Sequence, residues 1–385
     1  MLAAPFLIGI LACRGGKDLP FCDADFYMLL IRHAKRLGMK AFVFTPEGLA
    51  PDQQSVEGFV WTGEQRWSTE RLPLPDLIYD RFFSTNPSYR NGYHTLMNIM
   101  AHSRPKPLVL GNRLMGKWAV HRSLSNDRRL RPYLPKTSML ATFGQLLEWL
   151  ERESQVIVKP DGGTQGKGII LLRKHAKGFE AAGRTSSNLP YTCSFAGDQA
   201  MLDWLVPRLN KQYLLQTFLH LTNAEGNVFD IRSLVQKNGK GLWSHTGMAV
   251  RLGEHGSVTA NLHSGGCAVP AAEFLHREFG EHSADRLISQ LRDLSLIIAE
   301  VLEHYYGRLA ELGIDFGVDR HARLWIIEVN SKPGRAVFRN IKDKRARWLS
   351  LHQPMAYAKY LLAHRNGWRK HTAGTSGRSL LTSLG

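Results

Sequence analysis

Apolar and polar positions follow two periods along this chain, and the switches between them outline its elements. Residues 6–12 (FLIGILA) form a short apolar run that reads as a first buried strand, closed by Arg14, Gly15 and Gly16. Over residues 25–37 Phe26, Leu29, Leu30, His33 and Leu37 recur at helical spacing; Gly38 supplies the stop, and residues 41–44 read as the next strand. Further strands are expected at residues 58–61 and 77–79, paired across the proline-rich RLPLPD. This strand, helix, strand order predicts a small open α/β domain over residues 1–105. The Gly15-Gly16 turn is a weak phosphate-loop signal, since two adjacent glycines also simply permit a tight turn.

The segment RPKPLVLGNRLMGKWAVHRSLS opens a new unit, with a helix at about 117–124, an extended LPKTSML and a short helix at 145–153. VIVKPDGGTQGKGIILL then reads as strand, glycine-rich hairpin, strand. YLLQTFLHL, VFDIRSLVQ, GLWSHTGMAVRL and LWIIEVN, separated by turns, predict one antiparallel sheet. An amphipathic helix is expected over 271–312, interrupted near Gly280. The Gly/Ser/Thr-rich HTAGTSGRSLLTSLG reads as a mobile end.

Composition changes this picture in two places. With 385 residues the chain has room for two or three domains. Fifty Lys and Arg against thirty-three Asp and Glu give a net charge of +17, which favours an anionic partner. The surplus is local: residues 104–136 hold nine Lys/Arg and one acid, Asp127, and residues 335–385 hold eleven and one acid, Asp343. Cys13, Cys22, Cys193 and Cys267 form no C-x-x-C pair, so neither a zinc knuckle nor a disulfide framework is expected, and a reducing compartment fits. MLAAPFLIGILAC lacks the basic start of a signal sequence, and no apolar run is long enough to span a membrane, so a cytoplasmic location without a membrane span is expected.

Two constellations carry chemistry. In Lys159-Pro-Asp-Gly162-Gly163-Thr-Gln-Gly166-Lys167-Gly168 an apolar strand delivers a lysine and then a loop whose bare N–H groups can approach phosphate oxygens. No G-K-[ST] follows and a strand comes next, so this is neither a Walker A nor a dinucleotide fingerprint. Taken alone it also reads as a surface hairpin. The second constellation is Asp315 in GIDFGVD, followed by Glu328 and Asn330 in LWIIEVNSKPG. Strand alternation from Leu324 sets Ile326, Glu328 and Asn330 on one face, and a hairpin partner containing residues 314–318 would bring Asp315 beside them. Such hard oxygen ligands around a triphosphate suit Mg²⁺.

In this order and spacing the two constellations resemble the ATP-grasp superfamily of carboxylate–amine ligases, and over nearly the whole chain the endospore coat-associated YheC/YheD-like group. FDIRSLVQKNGKGLW, GSVTANLHSGGCAVP and GIDFGVDRHARLWIIEVNSKPG carry the second likeness. The resemblance implies a mixed α/β (α+β) ATP-grasp fold: the N-terminal α/β domain, then residues 106–365 with a glycine-hairpin subdomain at about 135–215 and a metal-binding subdomain at about 216–340, then a basic tail at 366–385. It implies that Lys117, Lys159, Gly162, Gly163, Gly166, Lys167 and Gly168 hold ATP phosphates. Gln216, Thr217 and Phe218 would meet adenine at a hinge, and Asp315, Glu328 and Asn330 would bind Mg²⁺. Arg232 would approach the transferred phosphate and Asn261 the reacting carboxylate. Gly313 stands where D-alanine:D-alanine ligases carry an arginine, so Arg232 or Arg335 would supply that charge. The implied reaction is phosphorylation of a substrate carboxylate by ATP, then attack of an amine on the acyl phosphate. Two other readings stay open. One is a non-catalytic, ATP-binding coat or scaffold protein. The other is a polyanion-binding module built on the basic segments around Arg345-Ala-Arg-Trp348 and Trp368-Arg-Lys370.

Overall fold

A computed structural model describes residues 4–15, 19, 21–63, 66–84, 86–163, 166–185, 189–253 and 266–365. Among the described residues the strands form three sheets. The first contains β1 (Leu7–Leu11), β2 (Lys40–Phe44), β3 (Ser55–Trp61), β4 (Trp67–Pro73), β5 (Leu77–Asp80) and β6 (Leu108–Val109), in the order β4-β3-β2-β1-β5-β6. The pairs β1/β2, β1/β5 and β5/β6 are parallel, and β2/β3 and β3/β4 antiparallel. Alternation decides its two faces. Ile8, Ile10, Ala41 and Val43 pack under α1 (Ala24–Arg36), whereas Leu11, Phe42 and Phe44 pack under α2 (Pro87–His102). The strands at 58–61 and 77–79 are therefore not partners. The first half of the proline-rich segment, residues 71–73, ends β4, which pairs with β3, while β5 joins β1.

α3 (Lys117–Ser125) and β7 (Thr137–Met139) lead into the second sheet, with α4 (Phe143–Glu153), β8 (Gln155–Pro160), β9 (Ile170–His175), β10 (Gly178–Arg184), β11 (Pro190–Phe195), α5 (Asp198–Leu205) and β12 (Tyr213–Thr217). Its order is β11-β10-β9-β8-β12-β7, antiparallel throughout. α4 and α5 bury Leu146, Leu150, Met201 and Leu205 against it. YLLQT thus belongs with the glycine hairpin rather than with the later strands. Its Leu214 pairs with Lys159, which sets the hinge beside the lysine strand.

The third sheet is built from β13 (Phe229–Lys237), β14 (Trp243–Leu252), β15 (Cys267–Pro270), β16 (Glu311–Val318) and β17 (Leu324–Asn330), in the antiparallel order β15-β14-β13-β16-β17. α6 (Ala271–Phe279) and α7 (Glu281–Tyr306) cover one face, with Phe229, Ile231, Val235, Ile314 and Phe316 packed beneath them. The helix expected to reach residue 312 stops at Gly307, which has φ +70°, and the apolar residues beyond it serve β16. α8 (Ala336–Asn340) and α9 (Lys344–Ala363) are the last described elements, and the basic tail expected at 366–385 lies outside the described residues. α9 returns to the first sheet, where Leu351, Met355, Ala358 and Leu361 join the core under α1. No helix among the described residues is long and apolar enough to cross a membrane.

Candidate functional site

A cleft of about 500 Å³ runs between the second and third sheets and ends against the first. Its walls follow from strand parity. In β13 the odd positions face α7, so Asp230 and Arg232 point the other way, into the cleft. β16 behaves alike, sending Ile314 and Phe316 to the core and Asp315 to the cleft side.

β17 departs from simple alternation. The register slips between Asp315 and Phe316, so that Asp315 faces Glu328 and Phe316 faces Ile326, leaving Ile327 as an extra residue. Ile326 is therefore in the core under α7, on the face opposite the one expected for it, while Ile327, Glu328 and Asn330 line the cleft. The bulge places Glu328 directly across from Asp315, and Asn330 across from Gly313.

Lys159 lies at the end of β8 and is only 7% exposed. Its ammonium donates to Gln216 Oε1 at 2.9 Å, and Gln216 in turn donates to Thr137 Oγ1 at 2.8 Å. Burial, opposed by Glu328 and aided by the nearby Lys117 charge, brings Lys159 down to about 8. Gln216 thus positions the lysine with its side chain, and its backbone is paired on both sides, with Ile157 and Thr137. Thr217 Oγ1 is buried without a hydrogen-bond partner among the described residues. Phe218 and Leu219, just past the strand, line the cleft.

Lys117 sits at the first position of α3. Its ammonium donates to Gly163 O at 2.8 Å and to Glu328 Oε1 at 2.9 Å, tying the hairpin to β17. Asp161, which the sequence did not single out, caps that helix. Its carboxylate accepts from Trp118 N at 2.7 Å, and a Cβ on Gly116 would collide with it at 2.0 Å. In the hairpin, Gly166 and Gly168 take φ values of +72° and +77°, the left-handed region that favours glycine. Gly162 and Lys167 are exposed.

A buried charge network underlies the third sheet's contribution. Arg232 binds Asp315 through Nε and, at 3.0 Å, through Nη2. Arg251 spans the two acids, donating to both oxygens of Asp230 at 2.6 Å and lying 3.0 Å from Asp315. Burial would raise Asp315, but Arg232 and Arg251 outweigh it and hold its carboxyl below the usual range. Burial pushes Asp230 up, against the pull of Arg251. Arg251 and Asp230 gave no isolated sequence signal, because their partnership appears only once β13 and β14 are paired in register.

Arg335 is placed elsewhere. Its guanidinium is 7% exposed and engaged with Glu311, with Tyr79 OH at 2.8 Å and with Ser350 O at 3.0 Å, and it does not line the cleft. Its neighbours Arg81 and Lys332 reach the cleft instead. Lys332 bonds Asp80 at 2.5 Å, and burial brings it down to about 7 against the pull of that acid. Asn261 lies outside the described residues.

The donor set suits a hard dication. Glu328 and Asn330 face the cleft with Asp315 opposite, all oxygen donors, although both Asp315 oxygens are held by guanidinium groups. Among the described residues no three His, Cys, Asp or Glu side chains gather as a metal site, so ligand oxygens would have to complete any coordination shell.

Comparison with known proteins gives the family and the fold. The profile described as YheC/D like ATP-grasp matches residues 107–361. The chain is 30% identical to the endospore coat-associated protein YheC of Bacillus subtilis (strain 168) over 314 residues, covering 81% of this chain and 86% of YheC. It is 26% identical to YheD of the same organism over 368 residues, covering 92% of this chain and 78% of YheD. Among solved structures, D-cycloserine synthetase DcsG superposes with a TM-score of 0.54 at 9% identity, over 92% of this chain and 99% of that one. The fold is ATP-grasp, and the chain belongs to the YheC/D-like ATP-grasp family.

Proposed function

We propose that the chain is an ATP-dependent carboxylate–amine ligase working through an acyl phosphate. The observation that carries this is the convergence on one cleft of Lys117, Lys159, the glycine hairpin, Glu328 and Asn330, with Arg232 on the facing strand. Family membership and a ligase of the same fold support the class of activity. The hairpin's N–H groups and the two lysines would bind the triphosphate, and Phe218 and Leu219 would meet the base. Glu328 and Asn330, joined by Asp315, would hold Mg²⁺, which when bound neutralises phosphoryl charge. An oxygen of the substrate carboxylate attacks the γ-phosphorus and the bond to the β-phosphate oxygen breaks, releasing ADP. Lys117, Lys159 and Arg232 would offset the charge that builds on the transferring group. The amine then attacks the acyl carbon, phosphate leaves, and the amine proton passes to solvent or phosphate. Closure of the hairpin would keep water from the acyl phosphate.

The test is ADP release with pooled carboxylic acids and amines, followed by mass spectrometry of the product. ADP formation that requires both an acid and an amine is expected. A second reading, a nucleotide-binding protein without turnover, draws on the pairing of Asp315 and Glu328 with protein cations and on the coat association named for YheC and YheD. Tight ATP binding without ADP release under any pool would favour it.

A further inference from the structure

A second cavity, of about 470 Å³, shares the wall made by Lys117, Lys159 and Glu328 with the main cleft. The end lined by Arg90 of α2, Arg113 and Lys332 also borders the main cleft, which Lys332 lines too. That end is a built arrangement. Lys332 Nζ lies 2.5 Å from Asp80 Oδ1 and donates to Phe82 O at 2.8 Å. Arg113 donates to the same carbonyl at 2.8 Å, its Nε is 3.5 Å from Asp80 Oδ2, and its guanidinium lies 4.7 Å from the Tyr93 ring centroid. Asp80 is itself fixed by Phe82 N at 2.9 Å and Tyr93 OH at 2.8 Å. One carboxylate therefore orients two cations beside the cavity, and exposed Arg90 adds a third at its rim.

Partly desolvated cations in excess of their counter-charge are costly unless an anion completes the set. The guanidinium of Arg113 is still 40% exposed, so part of its donor fork remains open to a ligand. The wall of Lys117 and Lys159 is where the ligase reading places the transferring phosphoryl group, beside which the attacking carboxylate must lie.

We propose that Arg113 and Lys332, with Arg90, bind a second anionic group of the acid substrate, making that substrate a dicarboxylate rather than a monocarboxylate. The inner end of this assignment rests on the ligase reading. The outer anion site rests on the cavity and its charges alone.

The test is calorimetry on the full chain with glutarate, butyrate and inorganic phosphate, with and without a non-hydrolysable ATP analogue and Mg²⁺. Glutarate should bind at least tenfold tighter than butyrate. Arg113→Gln should remove that preference while leaving butyrate affinity within twofold, and circular dichroism would check its fold. Arg90→Glu alters an exposed side chain and should weaken glutarate several-fold, which keeps the site testable if Arg113→Gln does not fold. Glutarate affinity unchanged in both variants, or no preference over butyrate, overturns the proposal. Phosphate binding tighter than glutarate and lost in Arg113→Gln would assign the corner to free phosphate and also overturn it. Failure of the parent to bind the nucleotide analogue would count against the ligase reading, while the nucleotide-free comparison of glutarate with butyrate still decides the anion site.

Discussion

Lys159 is buried, yet its hydrogen-bond partner is a neutral amide, so a phosphate would be its first close anion beyond Glu328. Lys159→Met keeps the apolar stem and removes the charge, at a cost of about 1 kcal/mol for the lost bond to Gln216. The variant should fold and bind ATP at least tenfold more weakly by calorimetry. Parent-like affinity would take the lysine out of the nucleotide site. A pH effect follows with a defined sign. Burial lowers this lysine to about 8, so its charged form, the one that attracts phosphate, is lost as pH rises through that value. ATP affinity should therefore fall between pH 7 and 9, and Lys159→Met should lack that fall. Lys159, Glu328 and Asn330 were legible because each sits in a short segment whose composition already looks like chemistry. Arg251, Asp80 and Arg113 were not, since an arginine or an aspartate in an ordinary segment stands out only once the fold pairs it with a side chain of another element. Arg335 is the converse case: it stands next to a legible motif, but Glu311 and Tyr79 hold it away from the cleft.

Among the elements, the glycine hairpin and β17 show how far periodicity carries. The hairpin was visible as glycines between two apolar runs, and its strands pair as that pattern requires. Within it the glycines differ. Gly168 has φ +77°, so Gly168→Ala should lower stability by about 1–2 kcal/mol in urea unfolding. Gly162 has open space around an added Cβ and no left-handed φ, so Gly162→Ala should leave stability unchanged. Any loss of nucleotide affinity in Gly162→Ala then reports close backbone approach of phosphate, and unchanged affinity would assign that residue to the turn alone. β17 was found but its faces were not, because a bulge needs two strands to define it and leaves no mark in one strand's alternation. The same limit misassigned YLLQT, whose apolar run fits either antiparallel sheet. Only pairing with β8 and β7 decides between them.

For the whole molecule, α9 and a buried ionic seam join the first sheet to the third. The seam centres on Glu311, whose carboxylate accepts from Tyr79 OH at 2.7 Å, Arg81 at 3.0 Å and Gln236 at 3.0 Å, and also pairs with Arg335. Tyr79 and Arg81 come from β5 and the residue after it, so the first sheet is fastened next to the cleft that Arg81 lines. Pattern reading could not foresee this, because the first 105 residues look self-contained and the helix that completes their core begins at Lys344. Replacing Glu311 by Met would leave two guanidinium groups buried without their shared acid, and such removals cost about 3–5 kcal/mol. Arg335→Met leaves Glu311 served by Arg81, Tyr79 and Gln236, so it should cost less. The pair should also be non-additive in a double-mutant cycle read by urea unfolding. Burial would raise Glu311, but Arg335 and Arg81 hold it below its ordinary value. The stabilisation it gives should accordingly be constant at neutral pH and fade only on acidification below about 4.5, the ordinary glutamate range. If Glu311→Met and Arg335→Met each shift stability by less than about 0.5 kcal/mol, a change typical of surface sites, the seam does not hold the two sheets together.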